Sequence, residues 1–410
     1  MADVQNTTGS TTAGSIEVGT AGAGAQLAGP GTGRATVQQP IDARVAVKPS
    51  YDVTDFPVPN GREEDWRFTP MHRLLGLHDG TAADGASGTD KVEFVLPEGV
   101  TAETVGRDDA RLGKAGKPVD RVAAQAYSAF TQALVVTVPQ DAVLTEPVKI
   151  DVHGEGGVAF AHVLIEVKPF AEAVVVLNHT GTGVRAANVE LVLGDGAKLT
   201  FVSIQDWDRD AVHAAQQTAL IGRDASLKSV VVTFGGDLVR LHPRVNYAGP
   251  GGEAVLYGLY FADAGQHLEH RLVIDHDTPH CRSNVVYKGA LQGKDAHAVW
   301  VGDVLIRATA EGTDTYEHNR NLVLTDGARV DSIPNLEIET GEIVGAGHAS
   351  ATGRFDDEQL FYLQSRGIPA DDARRLVVRG FFAELVQQIG VAEIQDQLME
   401  KIEAELEATV

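Results

Sequence analysis

From Leu134 to Ile338 the chain is a succession of short β-branched and aliphatic runs, each broken by a turn containing glycine or aspartate. VKIDV, VLIEV, AVVVL, VELVL, LKSVVVTF, AVLYGLYF, NVVYKGAL and NLVLT are among them. A dozen such runs, with little helical spacing between them, predict an all-β core. One phrase recurs at the turns: Gly194-Asp-Gly-Ala, Gly222-Arg-Asp-Ala, Gly293-Lys-Asp-Ala and Thr325-Asp-Gly-Ala, each leading into an alternating strand. The spacing from Gly194 to Gly222 is in the range of repeat folds, whose period is about 20–50 residues. A sandwich would be built from paired hairpins. A turn followed by a small residue at regular intervals instead suits stacked coils, so the core is expected to be a solenoid, a parallel β-helix.

The flanks have a different character. Residues 1–40 are rich in Gly, Ala, Thr, Ser and Gln, and are expected to form a disordered tail. Residues 41–135 predict a small α+β region, with short helices at 63–67 and 71–75, a strand at 91–95 and a helix over 120–134. The core then occupies 136–353. Residues 354–410 predict a helical module of three helices: 356–367, closed by Gly367; 371–389; and 391–408. The second carries a broad apolar face of Leu376, Phe381, Phe382, Leu385 and Ile389. Such a module is expected to cap the solenoid, dock a partner, or both.

Charge and cysteine usage narrow the function. Thirty-four basic against 57 acidic residues give a net charge of −23. Nucleic acid and anionic lipid surfaces are both poor partners for such a chain. No apolar run approaches the ~20 residues of a membrane span. With one cysteine, Cys281, the chain cannot form an internal disulfide or a multi-thiolate metal site. No secretory apolar segment is present, and a cytoplasmic location is expected.

Motifs for common chemistry are missing. There is no phosphate loop, dinucleotide-binding glycine pattern, nucleophile elbow or His-Glu-x-x-His. His267, His270, His276, His280 and Cys281 are clustered in sequence. Strand alternation and Pro279 argue against convergence on one metal, so these histidines are expected in exposed or hydrogen-bonded turns. His348 stands among small residues, Gly345-Ala-Gly-His-Ala-Ser, at the junction of the last strands and the helices.

At that junction the chain resembles a known family. Tyr287-Lys-Gly289, Asn321-Leu-Val-Leu324, Pro334-Asn-Leu-Glu-Ile338, Gly347-His348 and Gly353-Arg-Phe-Asp-Asp-Glu-Gln-Leu-Phe-Tyr-Leu-Gln-Ser-Arg-Gly-Ile368 are similar to the signature of the SufB/SufD family. Glu64-Asp-Trp-Arg-Phe-Thr69 resembles an element of its SufD-type members. The resemblance spans roughly residues 140–390. It implies a right-handed parallel β-helix and a non-catalytic scaffold subunit for iron–sulfur cluster assembly. The implied partners are a SufB-like paralogue, met through the β-helix, and a SufC-like ATPase, bound by the C-terminal helices through Leu376, Phe381, Phe382 and Leu385. A homodimer in isolation is compatible with the same surfaces. No cluster is expected to stay on the isolated chain; one would pass through the complex transiently. Many SufD-type members carry Cys-Ser-His where this chain has Ala346-Gly347-His348. That leaves His348 as the candidate iron or cluster ligand at the subunit interface. Two rival readings are a β-helix enzyme acting on polysaccharide, with Asp303, Asp314 and Glu317 as candidate carboxylates, and a homo-oligomeric structural solenoid.

Overall fold

The computed structural model describes residues 48–84, 88, 90–354 and 357–407. The tail expected at 1–40 lies outside them. The recurring turn phrase has a direct physical basis. Its third residue is left-handed in all four copies, with φ of +66° at Gly196, +52° at Asp224, +62° at Asp295 and +89° at Gly327. Glycine and aspartate are among the residues that adopt this conformation most readily. The alanine that follows turns inward: Ala197, Ala225 and Ala296 are buried. The first three of these turns also donate to the turn stacked on them. Gly196 N–H reaches the Arg223 carbonyl at 2.8 Å, and Asp295 N–H reaches that of Gly327 at 3.0 Å.

These turns wind the chain into a parallel β-helix with two sheet faces. The strands β4 (Val148–Val167) and β5 (Glu172–Leu193) are long enough to run through both faces. Later coils give each face its own strand. The odd face holds β7 (Val212–Ile221), β9 (Leu238–Tyr247), β11 (His267–His276), β13 (His297–Ile306) and β15 (Arg329–Ile338). The even face holds β6 (Lys198–Trp207), β8 (Ser226–Thr233), β10 (Glu253–Ala262), β12 (Arg282–Leu291), β14 (Asp314–Val323) and β16 (Gly345–Arg354). All these pairings are parallel, and the strand order runs outward from β5 to β15 on one side and through β6 to β16 on the other. The coil lengthens along the axis: stacked partners are 26 residues apart at His162 and Asn188, and 32 apart at Asp303 and Asn335. Val175, Leu191, Phe201, Leu227, Leu256, Leu272, Trp300 and Ile306 fill the interior.

The N-terminal end of the solenoid carries three short strands. β1 (Asp90–Val95) pairs antiparallel with β4, β2 (Thr101–Val105) antiparallel with β3 (Ala133–Val138), and β3 parallel with β4. The N-terminal region also contains the single-turn α1 (Thr81–Asp84) and α2 (Arg121–Ala129), the latter capped by the Asp120 carboxylate. The helix expected over 120–134 therefore ends early, because Ala133 already belongs to β3. This region lies on the odd face through polar anchors. Glu190 accepts from the backbone of Gly113 and Ala115 at 2.6 and 3.0 Å, Arg73 binds Asp237 at 2.6 Å, and Arg240 lies 3.8 Å from the Trp66 ring.

The C-terminal helices α3 (Asp357–Ser365), α4 (Ala370–Gln388) and α5 (Ala392–Glu407) follow β16. α4 and α5 lie back over the even face. Phe382, Leu385, Val386, Ile389, Leu398 and Ile402 form one buried cluster with Val202, Val230, Val232, Phe234, Phe261 and Ala290 of the sheet. Lys288 fastens α4, donating to the Phe381 carbonyl at 2.8 Å and to Glu384 at 2.9 Å. Among the described residues no helix is long and apolar enough to cross a membrane.

Candidate functional site

β15 and β16 end the strand order, so among the described residues each pairs on one edge only. Most of β15 is half-buried and much of β16 exposed, whereas β13 beneath β15 is almost wholly buried and β14 beneath β16 alternates between buried and exposed. This open coil is where His348 stands. Its neighbours Gly345, Ala346 and Gly347 leave the backbone accessible, and the His348 side chain is 42% exposed.

Register places His348 directly over Glu317 of the coil below, with Nδ1 3.8 Å from Oε1. Glu317 is 1% exposed, and neither carboxyl oxygen has a side-chain hydrogen-bond partner. Burial pushes its pKa up to about 9, with Asp303's charge adding to the rise and a backbone hydrogen bond from Asn335 opposing it. Glu317 is thus a neutral acid at pH 7. The close approach to His348 is not an ion pair, despite a distance short enough for one.

Beside this pair a polar network runs inward from the mouth. Ser350 donates to Ser332, Ser332 to Asn319 at 2.6 Å, and Asn319 to the Tyr260 hydroxyl at 3.1 Å. Tyr260 stacks on His270 with centroids 5.1 Å apart. An all-apolar solenoid interior would have no use for these groups, and burying them requires that they satisfy one another.

The histidine cluster at 267–281 does not come together on one ion: among the described residues no group of three His, Cys, Asp or Glu is placed to hold a metal. The expectation of turn histidines is also corrected. His267, His270 and His276 are buried on β11, where burial lowers His270 to about 3 and His276 to about 4. Only His280 sits in a turn, at a φ of +60°. Cys281 is buried, and burial pushes its thiol up, away from the reactive thiolate.

The apolar residues of α4 divide. Phe382 and Leu385 are consumed by the chain's own even face and Phe381 packs half-buried beside them, whereas Leu376 is 49% exposed. Two further exposed aromatics, Phe361 and Tyr362 of α3, were not singled out from sequence. The apolar even face explains the division. LKSVVVTF carries valines on both sides of its strand, the signature of a sheet covered on both faces. The three carboxylates weighed for polysaccharide chemistry occupy different surroundings. Asp314 starts a strand at the surface, Asp303 accepts from Asn335 at 2.7 Å, and Glu317 lies in the interior.

Comparison with known proteins agrees with this architecture. The profile of the family described as "SUF system FeS cluster assembly, SufBD core domain" matches residues 150–381. An "Iron-sulfur cluster assembly SufBD family protein" of Mycobacterium bovis is 59% identical over 368 residues, 88% of this chain and 92% of the relative. One from Mycobacterium leprae is 56% identical over 368 residues, covering 88% of this chain and 93% of the relative. The "Iron-sulfur cluster assembly protein SufD" of Escherichia coli is 25% identical over 379 residues, covering 84% of this chain and 88% of that protein. With an unpaired β-helix end carrying His348, a helical module on the even face and a family match over more than half its length, the chain belongs to the SufBD family of iron–sulfur cluster assembly proteins.

Proposed function

We propose that the protein is the SufD-like, non-catalytic subunit of a SufB–SufC–SufD-type scaffold. In this reading a SufB-like paralogue adds its strands to the free edges of β15 and β16. The observation that carries it is the open coil in a SufBD-family chain: two unpaired strand edges beside a histidine with few bulky neighbours. An exposed edge is a template for pairing and is normally blunted or covered. The nascent cluster is cargo here, held across the interface. His348 supplies an imidazole from this side, and the paralogue supplies thiolate. Neutral Glu317 beneath it adds no charge to the site at pH 7.

A SufC-like ATPase would dock on the outward surface of the helical module, where Phe361, Tyr362 and Leu376 are exposed. Phe382 and Leu385 contribute indirectly, by fastening α4 to the sheet.

Co-expression with SufB-like and SufC-like proteins tests the assignment. The tagged chain should retain both partners. Removing 369–410 should lose the ATPase, and His348→Ala should leave the complex intact but lower cluster yield. A chain that retains neither partner refutes the scaffold reading. Normal cluster yield in His348→Ala would make that histidine structural.

A further inference from the structure

Apart from His348, two imidazoles meet on the odd face, next to the β15 edge. His267 and His297 open β11 and β13 and pair in register; their side chains are 1% and 18% exposed. The rings stand at 69° with centroids 4.8 Å apart, and their Nδ1 atoms are 3.1 Å apart. The second nitrogen of each ring faces a carboxylate. His267 Nε2 is 3.1 Å from Glu269, and His297 Nε2 is 2.8 Å from Asp331. Both carboxylates already accept from other donors. Glu269 takes the Thr69 hydroxyl at 2.7 Å and faces Arg240 and Arg271, while Asp331 takes Arg329 at 2.7 Å. Each Nε2 therefore carries the ring hydrogen and donates it. Each Nδ1 is left with a lone pair, and the two lone pairs face the same small volume. Two acceptors 3.1 Å apart repel unless something positive lies between them.

The geometry distinguishes a bridging ion from a bridging proton. Two bonds of about 2.0–2.1 Å, the usual Zn–N length, from donors 3.1 Å apart would meet at about 100°, near the tetrahedral angle. The same bonds would set the ring centroids about 4.8 Å apart, which is the separation observed. A straight N–H···N bridge of equal N···N length would hold them at about 5.4 Å. A carboxylate behind each ring is also the usual support for a metal-binding histidine.

We propose that His267 and His297 hold one divalent transition-metal ion of borderline softness, such as Zn²⁺ or Fe²⁺, between their Nδ1 atoms. Glu269 and Asp331 fix the ring orientations. Imidazole pairs suit this class of ion. Among the described residues no third protein ligand joins the pair, so the ion keeps water in its remaining positions and exchanges. The nearby Arg73 does not oppose it alone, since its charge is matched by Asp237 at 2.6 Å. The site is separate from His348 and does not depend on the scaffold reading.

The test uses the full chain after chelation, titrated with Zn²⁺ in a calorimeter and with Co²⁺ by visible absorption. One equivalent should bind in the wild type and in His348→Ala, and be lost in His297→Ala. Asp331→Ala, which leaves both ligands in place, should weaken binding about 10-fold or more. Circular dichroism checks that each variant is folded. Uptake undiminished in His297→Ala overturns the proposal. So does a wild type that takes up no zinc, which would mean that the pair holds only a proton.

Discussion

Glu317 is the residue whose state departs furthest from expectation, and it gives a signed prediction. Its pKa in the folded chain, about 9, lies above its ordinary 4.5. The folded chain therefore holds a proton that the unfolded chain releases. That contribution is complete below the unfolded pKa and is lost as pH rises toward the folded one, by at most ~1.4 kcal/mol per pH unit. Glu317→Gln should flatten the fall of the melting temperature between pH 6 and 9 and raise it at pH 8.5. Parallel wild-type and variant curves across that range would show that Glu317 is already ionised. The turn residues give a second test. Gly196 is left-handed, and a Cβ there would press on the Phe170 ring. Gly196→Ala should therefore lose about 1–2 kcal/mol in chemical denaturation, whereas Asp224→Gly, at the equivalent turn, should lose none.

Among the elements, α4 carries the clearest division of labour. Phe382 is fully buried between α4 and the even face, while Leu376 points away from it. Phe382→Ala should cost about 3–5 kcal/mol of local stability and make the 370–407 segment an early target in limited proteolysis. Leu376→Ala should stay within about 0.5 kcal/mol of wild type and act only on partner binding. A protease pattern unchanged by Phe382→Ala would mean that the helices are held mainly by Lys288 and its neighbouring ion pairs. The helices themselves were legible in sequence because their 3.6-residue spacing and the stops at Gly367 and Gly390 are local signals. Which face they use was not, because coverage of the even face is decided by strands about 90 residues or more away. The coil turns were legible for the local reason that a left-handed residue selects Gly or Asp. The continuity of β4 and β5 was hidden, since Gly154 to Gly157 and Thr180 to Gly183 read as breaks yet lie within the strands. His348 was found through the family signature. Glu317 stood in the sequence only as a candidate carboxylate for polysaccharide chemistry; its place beneath His348 became visible through the register of β14 and β16.

For the whole molecule, asymmetry between the two ends dominates. One end carries the short β1 and β2, joined antiparallel and mostly exposed, while at the other β15 and β16 leave two ten-residue parallel edges free. In isolation the chain should pair with itself through those edges, and sedimentation should show a species heavier than the 43.5 kDa monomer. A proline at Thr352, whose N–H alternates away from β14, removes an edge donor and should return it to the monomer. A wild type that sediments as a monomer at all concentrations would mean that the edges are selective for the paralogue.

The open end also sets a gradient of local unfolding. In a stacked-coil fold each coil is stabilised chiefly by its neighbours, so a coil with one neighbour opens more often than a coil with two. Amide exchange should therefore be slowest through β6 to β11 and fastest in β15 and β16, whose backbone carries His348. A paralogue seated on those edges turns the terminal coil into an internal one, and its amides should slow toward those of β12 and β13. On the proposed scaffold reading, binding would also be the last step of folding, and His348 would be held still only with the second subunit in place.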